Sequence, residues 1–319
     1  MKDYEPLDLS TVYNVGVELF EDGDPPPTGL QSFHGIPFLM GGGEGDSQAV
    51  IALNDRTTSV VIPVGSTAHR LLFAHRLTEW DSTRPEHAGQ EVAEYRVNYA
   101  DGQTETAFVR ERFEIASVGL SQLTRLGSVG SPSLPFLAVP DGKHTLRPRH
   151  EGAWGEMGLR QMESIGARAR WNYLWAWTNP QRDVVIDSIE LVLKGPSFIV
   201  SAVTLGHIDE EPFARQGRRP MHVTLEGTAE GENSLEIDVN VDRGVTTYPF
   251  MLPASTTDEF LNDPLKGWGE AENQKGNPAY VEISAVPSAT VTVNQGEAII
   301  GEVNWGKVQS HGTVESGRM

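Results

Sequence analysis

The chain has 319 residues, 25 Lys+Arg against 44 Asp+Glu for a formal net charge of −19, and no cysteine. That charge argues against a nucleic-acid surface, which needs clustered Lys and Arg, and the missing thiols exclude disulfides, thiolate nucleophiles and Cys-ligated zinc. The opening MKDYEPLDLSTVYNVG holds no apolar signal core, and no stretch nears the ~20 apolar residues that span a bilayer, so no membrane association and a soluble, cytoplasmic location are expected, or an extracellular one if the chain is excised from a longer protein.

Asp24-Pro25-Pro26-Pro27 and Gly41-Gly42-Gly43 read as loops. Ser59 to Val64 is the first strong strand signal and ends in a turn at Gly65-Ser66. His69 to Leu77 follows, then the alternating run Val92 to Tyr99. That run closes on Asp101-Gly102 before Thr104 to Val109, the pattern of a β-hairpin. Gly119 to Gly155 has little periodicity, which for such a length points to a functional segment or one packed across a sheet face. Glu156 to Arg168 could form a short helix, with Met157, Leu159, Met162 and Ile165 near helical spacing. Trp171 to Thr178, Asp183 to Leu193 and Ser197 to Leu205 are rich in β-branched or aromatic residues and bounded by Asn-Pro or Gly-Pro.

Asp209 to Pro220 is charged, proline-containing and aperiodic, and reads as an interdomain linker. Beyond it come short strand signals at Met221 to Leu225, Leu235 to Val241, Val245 to Phe250, Tyr280 to Ala285, Ala289 to Val293 and Ile299 to Trp305, with a helical turn at Asp258 to Leu261. The expected fold is all-β: two antiparallel, jelly-roll-like β-sandwiches with little helix. They span 1–212 and 213–308, with a disordered tail at 309–319.

Strand geometry puts Trp171, Tyr173, Trp175 and Trp177 on one face, where flat rings serve either as sandwich core or as a platform for sugar faces. His69 and His75 share a face as well, but six residues of strand hold them roughly 20 Å apart, too far to bind one ion. His75, at the end of its strand, is the catalytic candidate among the histidines. Glu91, near Glu94, is the carboxylate candidate for glycosidase-like acid/base chemistry. Glu79, Glu91 and Asp101 are oxygen donors of the kind that hold a structural Ca²⁺ at sandwich loops. The chain has no G-x-S-x-G elbow, H-E-x-x-H, P-loop or dinucleotide-binding glycine pattern.

Residues 1 to about 210 resemble the galactose-binding-like jelly-roll modules of bacterial glycan-active proteins. The likeness rests on LDLS (Leu7 to Ser10) with Tyr13-Asn14, FHGIPF (Phe33 to Phe38), LLFAH (Leu71 to His75), GQEVAEYRVNYADG (Gly89 to Gly102) and WAWTNPQRDVVIDSIEL (Trp175 to Leu191). It implies sugar binding by loops at one end of the sandwich. His75, Glu79, Trp80, Asn179 and Arg182 are the positions that could match, while Trp177 sits within a strand. Trp80, Trp154 and Trp177 are the indoles expected around a ligand cleft.

The first functional expectation is a carbohydrate-binding or accessory protein whose partner is an oligosaccharide or glycoside. The alternatives are a glycoside hydrolase or lyase with a carboxylate/His pair in an interdomain cleft, and a structural or assembly subunit, either a homo-oligomer or the partner of a catalytic subunit. An acidic surface favours a neutral sugar.

Overall fold

The strand Glu91–Tyr99 shows how alternation becomes structure: Val92, Tyr95, Val97 and Tyr99 are buried, whereas Glu94, Arg96 and Asn98 stand half-exposed on the opposite face. The computed structural model describes residues 3–19, 26–43, 47–78, 89–117, 135–138, 172–213, 219–224, 237–247, 257–262 and 280–311. They divide into two compact units, one running to Glu210 and the other from Glu211. Every ladder between strands is antiparallel. The fold is all-β, with two sandwiches.

The first unit contains β1 (Tyr4–Pro6), β2 (Gly29–Phe33), β3 (Ile36–Met40), β4 (Ile51–Leu53), β5 (Ser59–Ser66), β6 (Arg70–Leu77), β7 (Glu91–Tyr99), β8 (Thr104–Arg110), β9 (Phe136–Leu137), β10 (Tyr173–Thr178), β11 (Ile186–Leu193) and β12 (Phe198–Gly206). One sheet has the order β1-β12-β6-β10-β9, with β4 also on β12; the other has the order β5-β11-β7-β8. Their inner faces share one core, in which Leu71, Phe73, Phe198, Val200 and Leu205 of one sheet meet Ile62, Tyr95, Val97, Ile189 and Leu191 of the other. This is a β-sandwich in the plain sense of two sheets joined by a common apolar layer.

Strand β12 is buried along its whole length, a mostly apolar segment covered on both faces, with Ser201 and Thr204 its polar members. A bulge between Val200 and Ala202 shifts its phase, so Phe198 and Val200 face the core before it and Val203 and Leu205 after it. On the outer face Ile199 packs with Ala49, Val50 and Ala52, and Thr204 Oγ1 donates to the Pro37 carbonyl at 2.6 Å, fixing the β2–β3 hairpin over the sheet.

The second unit has β13 (Arg219–His222), β14 (Asp238–Val241), β15 (Gly244–Thr247), α1 (Thr257–Asn262), β16 (Tyr280–Ala285), β17 (Thr290–Gln295), β18 (Ala298–Asn304) and α2 (Trp305–His311). Two three-stranded sheets, β13-β16-β15 and β14-β17-β18, enclose Val239, Val281, Ile283, Val291 and Trp305. The chain crosses from one sheet to the other at Asp242-Arg243. Gly244 is required there because a Cβ would sit 2.5 Å from the Ser284 carbonyl.

Two sequence expectations change. Arg219 and Pro220, placed in the linker, pair with Ile283 and Glu282 in β13, because a sheet edge tolerates a proline that donates no hydrogen bond. Residues 309–311, placed in the tail, belong to α2, which starts where Asn304 Oδ1 accepts the Lys307 amide at 3.2 Å and Trp305 anchors in the core. The helix expected at Glu156 to Arg168 lies outside the described residues. No helix among the described residues is long and apolar enough to cross a membrane.

Candidate functional site

Two turns form one end of the first sandwich. After β7, Tyr99 N–H donates to the Gln103 carbonyl and Gly102 N–H to the Tyr99 carbonyl, each at 2.9 Å; Gly102 adopts φ +85°. Asp-Gly fits this three-residue connection because glycine takes the left-handed position without strain. After β10, Asn179-Pro180 starts a turn in which Asn179 Oδ1 accepts the Gln181 amide at 2.9 Å.

The two turns are stitched together. Tyr99 Oη donates to Asn179 Oδ1, and Asn179 Nδ2 donates to the Ala68 carbonyl at 2.7 Å. Gln181 Nε2 donates to Gln103 Oε1 at 3.3 Å, and Gln103 in turn gives its backbone amide and Nε2 to the Asp101 carboxylate at 3.0 and 2.9 Å. Arg182 stands exposed and pairs with Asp209 at 2.9 Å. Burial, then the negative charges of Glu105 and Asp101, push the Tyr99 hydroxyl up to about 12. The result is a rim of amides and carboxylates anchored on the buried pair Tyr99 and Asn179.

Trp177 lies on β10 one residue before Thr178, whose Oγ1 accepts from Arg70 at 2.6 Å. It pairs with Leu71 and packs on the shared core while remaining half-buried. Strand β9 covers only Tyr173 and Leu174, so among the described residues the outer edge of β10 beyond Leu174 has no neighbouring strand. Of the positions singled out in the sequence, Trp177, Asn179, Arg182 and Asp101 thus come to the same end.

His75 is elsewhere. It is fully buried between the sheets, its ring parallel to that of Trp175 (1° between planes, centroids 6.1 Å apart) and flanked by Phe73 and Tyr95. Its Nε2 lies 2.8 Å from the Glu114 carbonyl and its Nδ1 2.8 Å from Tyr95 Oη. A carbonyl only accepts, so Nε2 carries the proton and Nδ1 accepts from Tyr95. Burial lowers its pKa from 6.5 to about 4, against an opposing contribution from the Glu114 hydrogen bond. Both ring nitrogens are engaged inside the core, where no substrate atom reaches them.

Glu91 is exposed at the start of β7, and Asp101 lies beyond the other end of that strand. At ~3.4 Å per residue the two are roughly 30 Å apart, so no single ion takes both. Glu94 is committed to Arg96 and Lys194 at 2.6 and 3.0 Å. Among the described residues no group of three or more His, Asp or Glu side chains converges on one point. Glu79, Trp80 and Trp154 lie outside the described residues.

Sequence reading passed over Tyr99, Gln103, Gln181 and Asp209. The signal was present for two of them: Gln103 follows Asp-Gly and Gln181 follows Asn-Pro, so both belong to turns. That the two turns meet depends on strand pairing, which their own residues do not encode. No family model, curated protein or solved structure matches the chain.

Proposed function

We propose that the first unit is a non-catalytic carbohydrate-binding or accessory module, of galactose-binding-like character, whose ligand is a neutral oligosaccharide held at the Asn179 end. The observation that carries this reading is the half-buried Trp177 at the same end of the sandwich as the rim of Asp101, Gln103, Gln181 and Arg182. An indole partly open to solvent offers a face for sugar C–H groups, and the rim supplies donors and acceptors for hydroxyls, the mix common to small-ligand sites. Binding is favoured over catalysis by the state of His75, the best-placed base in the sequence, which is sealed in the core. The charge of −19 disfavours uronate or sulfated chains.

The test is a glycan array followed by calorimetry with neutral and acidic oligosaccharides. Binding of a neutral glycan at submillimolar to millimolar Kd, weakened at least fivefold in Gln181→Ala and Arg182→Ala, supports the proposal. No binding at millimolar concentration, or binding indifferent to both substitutions, overturns it.

A further inference from the structure

The sandwich end opposite Asn179 carries a tight tip, Arg110–Glu114, that turns the chain after β8. Arg112 is one of two non-glycine residues with positive φ among the described residues, at +70°, a left-handed conformation that strains a residue bearing a side chain. The tip is closed by Arg112 N–H to the Ile115 carbonyl at 2.6 Å and by the Glu114 carboxylate on the Arg110 guanidinium at 2.6 and 3.1 Å. Phe113 projects outward, 56% exposed, under the Arg110 guanidinium. From beneath, the His75 Nε2–H holds the Glu114 carbonyl.

We propose that His75 is an acid-sensitive latch on this tip: protonation of the buried ring favours a state in which residues 110–114 lift and admit water to the imidazolium. The neutral ring completes a directional chain, Tyr95 O–H to Nδ1 and Nε2–H to the Glu114 carbonyl. A charged ring has a second N–H aimed at the Tyr95 oxygen, whose own hydrogen then turns into an aromatic surround of Phe73, Trp175 and Phe198. Its charge also needs solvation. Of the groups packed on His75, Phe73, Tyr95 and Trp175 belong to paired strands, while Glu114 sits on a strained loop, and loops open at lower free energy than paired strands.

The titratable groups near the ring are few. Tyr95 faces it from β7 and Tyr173 lies beside it in register on β10, its hydroxyl given to the Ser117 carbonyl; burial pushes both phenols up, so they stay neutral in acid. The Glu114 carboxylate is held on Arg110, and β12 contributes the apolar Val200 in register with His75. Among the described residues no other charged group acts on the ring.

Amide exchange by NMR, corrected for intrinsic rates and followed from pH 7 to 4.5 on the whole chain, tests the latch. With His75 titrating near 4 when closed and near 6.5 when hydrated, the open-to-closed ratio of the tip should rise toward tenfold per pH unit, on the order of a hundredfold over the window. Amides of 110–117 should lose protection before those of β7. His75→Gln keeps a donor for Glu114 and an acceptor for Tyr95 without a titrating ring, and its tip should stay protected. It also retains the Glu114–Arg110 pair, so any contribution of that pair would persist in it. Unchanged protection in the wild type, loss equal in His75→Gln, or simultaneous loss at the tip and β7 would each overturn the proposal. If His75→Gln does not fold, the order of loss in the wild type decides alone.

Discussion

Strand β7 uses the same device twice, four residues apart. Tyr95 donates its hydroxyl to His75 in the middle of the sandwich, and Tyr99 donates to Asn179 at its end. The two acceptors differ in kind. At depth sits an imidazole, which can be charged but is sealed from water; at the rim sits an amide, which cannot be charged but joins a network reaching solvent through Gln181 and Gln103. Depth therefore separates a group that responds to pH from groups that can respond to a ligand. The same comparison orders the expected effects of substitution.

The largest effect is expected at depth. His75→Ala removes a fully buried ring and leaves the Tyr95 hydroxyl and the Glu114 carbonyl without partners, and should cost about 3–5 kcal/mol in urea unfolding. A loss below about 1 kcal/mol would mean that the ring is not packed as described.

Acid should follow, with a definite sign. Above pH 6.5 His75 is neutral whether the protein is folded or not. As pH falls below 6.5 the unfolded chain takes up a proton that the folded chain refuses until about pH 4, so stability falls with pH across that window. The loss relative to His75→Gln should be on the order of 3 kcal/mol between pH 7 and 4. Equal losses in the two proteins would remove His75 from the account.

Next come the two tyrosines. Tyr95→Phe orphans the buried His75 Nδ1 and should cost about 1–3 kcal/mol. Tyr99→Phe takes one donor from Asn179 Oδ1, which still accepts from the Gln181 amide, so about 0.5–1.5 kcal/mol is expected. Thermal denaturation of the pair gives the order directly, and a reversed order would contradict the contrast between depth and rim.

The contrast was only partly legible in the sequence. Alternation placed Tyr95 and Tyr99 on one face of a strand, and Asp101-Gly102 and Asn179-Pro180 marked the turns, because these signals are local. The β-branched and aromatic content of Ser197 to Leu205 marked β12 as a strand, but its burial on both faces and the bulge that switches its inward residues from Val200 to Val203 have no signature in that segment. The partner of His75 was hidden for a related reason. It is the backbone carbonyl of Glu114, 39 residues away in the chain, and a carbonyl is common to every residue type. Asn179 shows the opposite failure. It was read as a sugar contact, but its Nδ2 is spent on the Ala68 and Gln181 carbonyls and its oxygen on Tyr99 and Gln181, so it shapes the rim that Gln103, Gln181 and Arg182 present.

The smallest stability effect belongs to Arg182. Its pair with Asp209 leaves the two side chains 51% and 66% exposed, and such ion pairs contribute about 0–1 kcal/mol because water screens them and ordering two long side chains opposes them. Arg182→Ala should therefore barely move the melting temperature at any salt concentration. Its effect on glycan affinity is expected to be larger, because a guanidinium presents several donors to ligand hydroxyls in one fixed plane. Measuring both quantities on the same preparation separates the two roles. A clear fall in melting temperature with unchanged affinity would make Arg182 a structural strut between the 180–184 turn and Asp209, and would move the candidate site away from this rim.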